Sequence, residues 1–394
     1  MLDDLKQTLG DLASYREVLA HLAGRGAAHT GHRLPERAEI ERAVQRLHPR
    51  HMHLRLVETV DETPDVRTLS FARLDGPLPP FRAGQYVSVA VSIGAVRTNR
   101  AYSISSAPGD ARLEITVRRK PGGFVTEHLF TLVPGAEVET SGPTGSFVFE
   151  PLIDRGALVF LAGGSGITPF RSMWRDFEQR GPTPRVHLVF GVRTPADVIY
   201  KAELKELAAR CPWFTYSIIV SEPGPGFRGR KGLLDAARIR AEVEDPARAR
   251  FFLCGPNAMR QLVEAALAEL GVPRHHVRRE LYGPPTDVTA EVGWPAGVTA
   301  SRTFRVTVDG HAPIEARAGE PLLSSLERRG VLLPALCRSG ECSACRARLL
   351  AGQVYMPPST RVREADAASG YIHTCVAYPL SDLTLRVHPG ACLL

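Results

Sequence analysis

No apolar run in this chain reaches the roughly 18 residues that a membrane-crossing helix needs. Its first residues, Met1-Leu-Asp-Asp-Leu-Lys, are charged and lack the apolar stretch of a signal peptide, so a cytoplasmic setting is expected. A strong charge imbalance is missing too. There are 49 Lys and Arg against 42 Asp and Glu, a net +7 over 394 residues, which gives no reason to expect nucleic acid as a partner. Internal repeats and low-complexity tracts are absent, and a composition 44% hydrophobic and 23% charged excludes a disordered, collagen-like or rod-like chain. At one domain per roughly 100–200 residues, two to four domains are expected. Cysteine is scarce until late: of seven, only Cys211 and Cys254 precede the last 60 residues. A disulfide framework would need a secretory context, so the late cluster reads first as a metal site in a reducing compartment.

Residues 1–53 read as a short helical extension. Leu5, Leu9, Leu12, Val18, Leu19 and Leu22 recur at roughly helical spacing, and Gly24 and Gly26 supply the stop. A second helix is predicted over Glu36–Leu47, between Pro35 and Pro49. Six of the 13 histidines lie between His21 and His53; without a cysteine or a helical histidine pair they read as a solvated polar face. Docking or self-association is the role left open for these helices.

Residues 54–152 change to short alternating or apolar runs broken by Gly and Pro, such as Tyr86-Val-Ser-Val-Ala-Val, Leu113-Glu-Ile-Thr-Val and Ser146-Phe-Val-Phe. This pattern predicts an antiparallel β-barrel. Over 153–282, strand candidates at Leu158, Val186, Tyr216 and Arg250 alternate with helices near Phe170–Gln179, Lys201–Ala209 and Asn257–Leu270, which predicts a parallel α/β sheet. Residues 283–302 are rich in Pro and Gly and read as a linker. Over 303–394 a hairpin around Asp309-Gly310 and a helix near Leu322–Arg329 lead into the cysteine cluster.

Cys337, Cys342 and Cys345 are spaced C-x4-C-x2-C, and Cys375 follows after 29 residues. Four thiolates suit a pair of tetrahedral irons with two cysteines on each. Ser339, Gly340, Ser343 and Ala344 are small enough for the loop to wrap a cluster closely and turn its amides toward the sulfurs. Structural zinc usually shows two short cysteine pairs, and only one exists here. The spacing is that of plant-type [2Fe–2S] ferredoxins, and residues 303–388 resemble such a domain, including Leu349-Leu-Ala-Gly after the third cysteine. The resemblance implies a β-grasp fold and a one-electron carrier near roughly −400 mV. Cys392 lies beyond the motif and reads as a free thiol.

Further motifs stand in the order found in the ferredoxin–NADP reductase family. The first is Arg100-Ala-Tyr102-Ser103, at the end of a barrel strand. An arginine can pair with a flavin phosphate, a tyrosine ring can pack on the isoalloxazine, and a serine hydroxyl can hydrogen-bond near N5. Lys120-Pro-Gly122-Gly123-Phe-Val125-Thr126 resembles the second flavin phosphate loop, and Gly142-Pro-Thr144-Gly145 the turn that closes the barrel. Gly163-Gly164-Ser165-Gly166-Ile-Thr168-Pro169 follows a strand and opens a helix, so its amides can face a pyrophosphate. Cys254-Gly255-Pro256 ends a later strand, where ligands gather in open α/β sheets. Glu280-Leu-Tyr282-Gly resembles the family's segment beside the flavin.

The resemblance covers residues 54–394 and points to the reductase components of bacterial oxygenases. It implies a nicotinamide nucleotide as donor, FAD as flavin with FMN as its competitor, and a [2Fe–2S] cluster that passes electrons to a protein such as an oxygenase or demethylase component. Ser103, Cys254 and Tyr282 are implied at the reacting rings, with Tyr282 as the lid that nicotinamide displaces. Three other readings stand beside it: the electron-transfer subunit of a larger dehydrogenase, a direct reductase of a small molecule, and a redox-sensing module. Glu222, after the third α/β strand, favours NADH over NADPH, although Arg228, Arg230 and Lys231 lie close in sequence. A fused ferredoxin domain is expected to receive electrons within the chain and to be free to rotate on its linker. Arg338, Arg346 and Arg348 flank the cluster cysteines and read as solvated, or as a face for an acidic acceptor.

Overall fold

The computed structural model describes residues 36–181, 184–358, 360 and 362–387. The helix expected from Leu5 to Leu22 and the thiol of Cys392 lie outside them. The chain divides into two units, Met1–Leu47 and His48–Leu394. In the first, α1 (Arg37–Leu47) carries Ile40, Val44 and Leu47 on one face, each at least 40% exposed.

The second unit begins its barrel at His51, inside the segment assigned above to the extension. The strands are β1 (His51–Thr63), β2 (Val66–Arg73), β3 (Tyr86–Ile93), β4 (Val96–Ser103), β5 (Leu113–Arg118) and β6 (Glu137–Ser141), paired in the order β4-β3-β6-β1-β2-β5. All pairings are antiparallel. A bridge between Ile104 and Ile115 joins the two outer edges and curls the sheet closed. Inward residues such as Leu54, Leu56, Val87, Val89, Ile115 and Val117 are fully buried, because alternate side chains on a half-buried strand share one face.

The next sheet is parallel throughout: β7 (Leu158–Gly163), β8 (Val186–Val192), β9 (Phe214–Val220), β10 (Arg230–Lys231), β11 (Arg250–Cys254) and β12 (Val277–Glu280). Its order, β10-β9-β8-β7-β11-β12, reverses direction at β7, so the loops after β7 and β11 diverge at one crevice. Ser146–Phe149, expected as a barrel strand, is not one. Phe147 instead leaves the barrel and packs edge-on against Phe170 and Phe252 in the core of this sheet.

The last sheet is mixed. β13 (Thr303–Val308) and β14 (Ile314–Arg317) form the expected hairpin, while β15 (Arg346–Ala351), β16 (Tyr371–His373) and β17 (Leu383–Arg386) complete the order β14-β13-β17-β15-β16. The helix Leu322–Arg328 packs across it, a β-grasp arrangement. Residues 283–302 are not a free linker. Val288 is 2% exposed, Trp294 packs edge-on against Tyr355 at 5.2 Å, and Tyr355 Oη donates to the Val292 carbonyl at 2.7 Å. Asn257 donates to Glu291 at 2.9 Å, which ties the segment to the nucleotide sheet as well. Pro and Gly marked the lack of regular structure there, but the apolar anchors decide the packing.

Candidate functional site

The first cavity, about 420 Å³, opens between the barrel, the segment after β12 and the cysteine loop. It is lined by Arg100, Tyr102 and Ser103 from the end of β4, by Gly122, Gly123, Val125 and Thr126, and by Tyr282. Cys337, expected from sequence as a cluster ligand, and Glu280, from the Glu280-Leu-Tyr282-Gly segment, line it too, together with Tyr86, which the sequence marked only as a strand residue. Gly122 has φ +69°, which favours glycine, and it turns the chain into the helix Phe124–Thr131. A Cβ on Gly123 would stand 2.5 Å from Thr126 Oγ1 and 2.8 Å from the Lys120 carbonyl, so only glycine fits this cradle. Arg100 donates to Thr98 Oγ1 at 2.8 Å and to the Asn99 carbonyl at 2.6 Å. Both acceptors are neutral. Burial, then the charge of Arg338, lowers the Arg100 pKa to about 10, while Glu327 opposes the shift.

Ser103 Oγ lies 2.8 Å from Tyr282 Oη, and the Tyr282 hydroxyl also meets the Cys254 thiol. Tyr282 is 39% exposed along its ring while its hydroxyl points inward. Burial holds the Cys254 thiol well above its usual range, with the Glu280 charge adding to it. Burial likewise pushes the Glu280 carboxyl up, then Glu341 and Cys337. The Cys254 thiol and the Tyr282 hydroxyl, both held above their usual range, form a hydrogen-bonding set with Ser103 and not an activated nucleophile.

A second cavity, about 290 Å³, sits at the crevice of the parallel sheet. Gly163, Gly164 and Pro256 line it, together with Ser221, Arg193 and Arg118. Gly166, Thr168, Pro169 and Gly255 are not among its lining residues. A Cβ on Gly166 would collide with the carbonyl of Cys254, so this glycine lets the two loops touch. Thr168 donates to the Ser165 carbonyl at 2.7 Å, and Pro169 sits in the first turn of the helix Thr168–Arg180. Arg118 comes from the barrel. Its Nε and Nη2 are buried without a hydrogen bond, and its nearest carboxylates, Asp65 and Asp197, stand at 3.5 and 3.9 Å.

The four cysteines gather two by two. Cys342 hydrogen-bonds Cys337, and Cys375 hydrogen-bonds Cys345. Within each pair the hydrogen bond from the other thiol draws Cys337 and Cys345 down, against burial. The amides of Ser339 and Cys342 both point at Cys337 Sγ from 3.4 Å. The loop is held from behind by buried His373, which bonds the Gly340 carbonyl at 2.7 Å and Asp366 at 2.9 Å, and by Thr374, which donates to the Cys345 carbonyl at 2.8 Å. Arg338 is neither solvated nor turned to an acceptor. It is 7% exposed, with φ +54°, and it reaches Glu327, Thr98 and Asn99, because the turn after Cys337 directs it into the seam with the barrel. Arg346 stands over the Tyr371 ring at 5.5 Å and Arg348 is exposed.

Models of three domain families match the chain: the oxidoreductase FAD-binding domain over 53–149, the oxidoreductase NAD-binding domain over 160–265, and the 2Fe-2S iron-sulfur cluster binding domain over 306–380. The glycine betaine monooxygenase reductase subunit of Chromohalobacter salexigens is 31% identical over 350 residues, 85% of this chain and 95% of that one. The chain belongs to this family of FAD- and [2Fe–2S]-containing reductases. Ferredoxin–NADP reductase B of Sorangium cellulosum is 40% identical over 236 residues, 58% of this chain and 96% of that one. In fold the chain is similar to phthalate dioxygenase reductase, with a TM-score of 0.64 at 24% identity over 86% of this chain and 98% of that one. The reductase thus carries FAD, a nicotinamide nucleotide site and a [2Fe–2S] cluster. No helix among the described residues is long and apolar enough to cross a membrane.

Proposed function

We propose that this reductase takes a hydride from a nicotinamide nucleotide and delivers single electrons to a protein acceptor of the oxygenase type. The observation that carries the reading is the shared wall: Cys337 of the cysteine loop lines the same cavity as Arg100, Tyr102 and Ser103. Bound FAD supplies the conversion of a two-electron hydride into single electrons, and the cluster supplies the outlet. Arg100 and the amides of 122–126 hold the flavin phosphates, since the one is a buried cation and the others open a helix. Tyr102 packs beside the ring, and the Ser103 hydroxyl offers a hydrogen bond at its reacting edge. Tyr282 covers the opposite face and moves aside for nicotinamide, while Cys254 borders the approach. Gly163, Gly164 and Arg118 receive the nucleotide pyrophosphate. Cys337, Cys342, Cys345 and Cys375 ligate the cluster, and the amides of Ser339 and Cys342 support the sulfur nearest the flavin cavity. The monooxygenase reductase relative supports an oxygenase component as acceptor.

The test is transfer from NADH-reduced protein to purified oxygenase components, alongside ferricyanide reduction, which draws on the flavin alone. Cys342→Ser is expected to abolish transfer to an oxygenase while leaving most ferricyanide activity. Efficient steady turnover of a quinone or ferric chelate, with no oxygenase accepting electrons, would replace this reading with direct reduction of a small molecule.

A further inference from the structure

The seam between the barrel and the ferredoxin domain holds a buried polar knot centred on one hydroxyl. Thr98 Oγ1 donates to Glu327 at 2.9 Å, accepts from Arg338 Nη2 at 3.0 Å and accepts from Arg100 Nη1 at 2.8 Å. A threonine hydroxyl has one proton and two lone pairs, so its capacity is fully used. Asn99 uses both of its amide protons. Its amide donates to Ser88 Oγ and to the Ala335 carbonyl, and its oxygen accepts from Arg338 Nε at 2.8 Å. Thr98, Asn99, Glu327 and Arg338 are each at most 7% exposed, and Arg338 is ion-paired to Glu327. A buried knot of this kind is costly if any partner is removed, and it defines a single geometry when complete.

Its position in the chain gives it a consequence for function. Thr98 and Asn99 directly precede Arg100, the cation of the flavin cavity. Arg338 directly follows Cys337, the cysteine in that cavity's wall. Building on the proposed electron path, we infer that the Thr98 hydroxyl is a positioning group for the step from flavin to cluster. It clamps the flavin arginine and the cluster-loop arginine to one atom, and so fixes the distance between the two redox sites. Glu327 acts through the same clamp from the ferredoxin side.

Thr98→Val keeps the branched shape of the strand residue and deletes the hydroxyl; Thr98→Ser restores it. Stopped-flow mixing of each holoprotein with NADH, at equal iron and flavin content, separates flavin reduction from the later bleaching of the cluster. In Thr98→Val the cluster phase is expected to slow severalfold relative to the flavin phase, because electron transfer weakens steeply as the two sites move apart. Thr98→Ser should recover it. Glu327→Ala should slow the cluster phase similarly, with flavin reduction within about twofold of the unaltered protein. An unchanged cluster phase in Thr98→Val, equal slowing of both phases, or a serine variant as slow as the valine one would overturn the inference. Absence of any NADH-driven cluster phase in the unaltered protein would instead refute the electron path on which it rests.

Discussion

Gly123 shows how closely a single residue is set by the site it builds. Its backbone conformation, φ −74°, is open to any residue, so conformational freedom does not explain it. Space does: the missing Cβ is what lets Thr126 Oγ1 accept from the Lys120 amide at 3.1 Å and close the loop around the phosphate position. Gly123→Ala is therefore expected to cost about 1–3 kcal/mol in the overpacked loop and to yield protein short of flavin. Absorbance of flavin per chain, with the cluster as internal standard, checks this; full flavin content would show that the loop yields. The site's glycines and cysteines were legible because a ligand restricts residue type at fixed local spacing. What stayed hidden is what acts across long separations. His373 and Asp366 brace the cysteine loop, and Glu327 and Arg338 meet Thr98 from 229 and 240 residues away, a relation no local pattern records.

At the scale of the element, the turn after β9 bears on the choice of nucleotide. The amide of Ser221 donates to the Val192 carbonyl and that of Glu222 to the Arg193 carbonyl at 2.7 Å, so the turn is fixed beside the second cavity. Among the cations that weakened the sequence argument for NADH, Arg230 is held by Glu242 at 2.7 Å and is not free for a 2′-phosphate. Arg193, in the turn after β8, lines the cavity, and Glu222 is hydrogen-bonded to its carbonyl from the turn after β9. NADH is expected to exceed NADPH in kcat/KM, and Glu222→Arg to move the ratio toward NADPH by about tenfold, the equivalent of ~1.4 kcal/mol. A tenfold preference for NADPH in the unaltered protein would contradict this. The central strands β7, β8, β9 and β11 were legible as apolar runs because both faces of a parallel sheet are covered. The two edge strands were not. Arg230–Lys231 is two residues long and exposed, and Val277–Glu280 is mostly charged, so neither carries the hydrophobic signal that marks its neighbours.

In the whole molecule, the question is whether electrons must wait for the ferredoxin domain to arrive. Free ferredoxins use opposite charge to speed the encounter with a reductase. Residues 303–394 carry ten Arg and no Lys against eight Asp and Glu, a net +2, so this domain has no acidic excess for such steering. It does not need one, because fusion already sets a high effective concentration. The structure goes further than fusion. Residues 283–302 are packed through Val288 and Trp294, and the seam is closed by the buried contacts of Thr98 and Asn99 with Glu327 and Arg338. Rotation of the domain would have to unpack both, and cluster and flavin cavity already share Cys337 as a wall. Buried pairs are screened far less than exposed ones, whose interactions fade beyond about 10 Å at 0.1 M salt. Transfer from flavin to cluster is therefore expected to be first order, independent of protein concentration and nearly flat from low to high salt. Stopped-flow bleaching of the cluster after mixing with NADH measures it. A rate that rises in proportion to protein concentration would mean transfer between molecules, and one that collapses with salt would mean a domain held by exposed charge. Either result would rule out the docked arrangement as the working state.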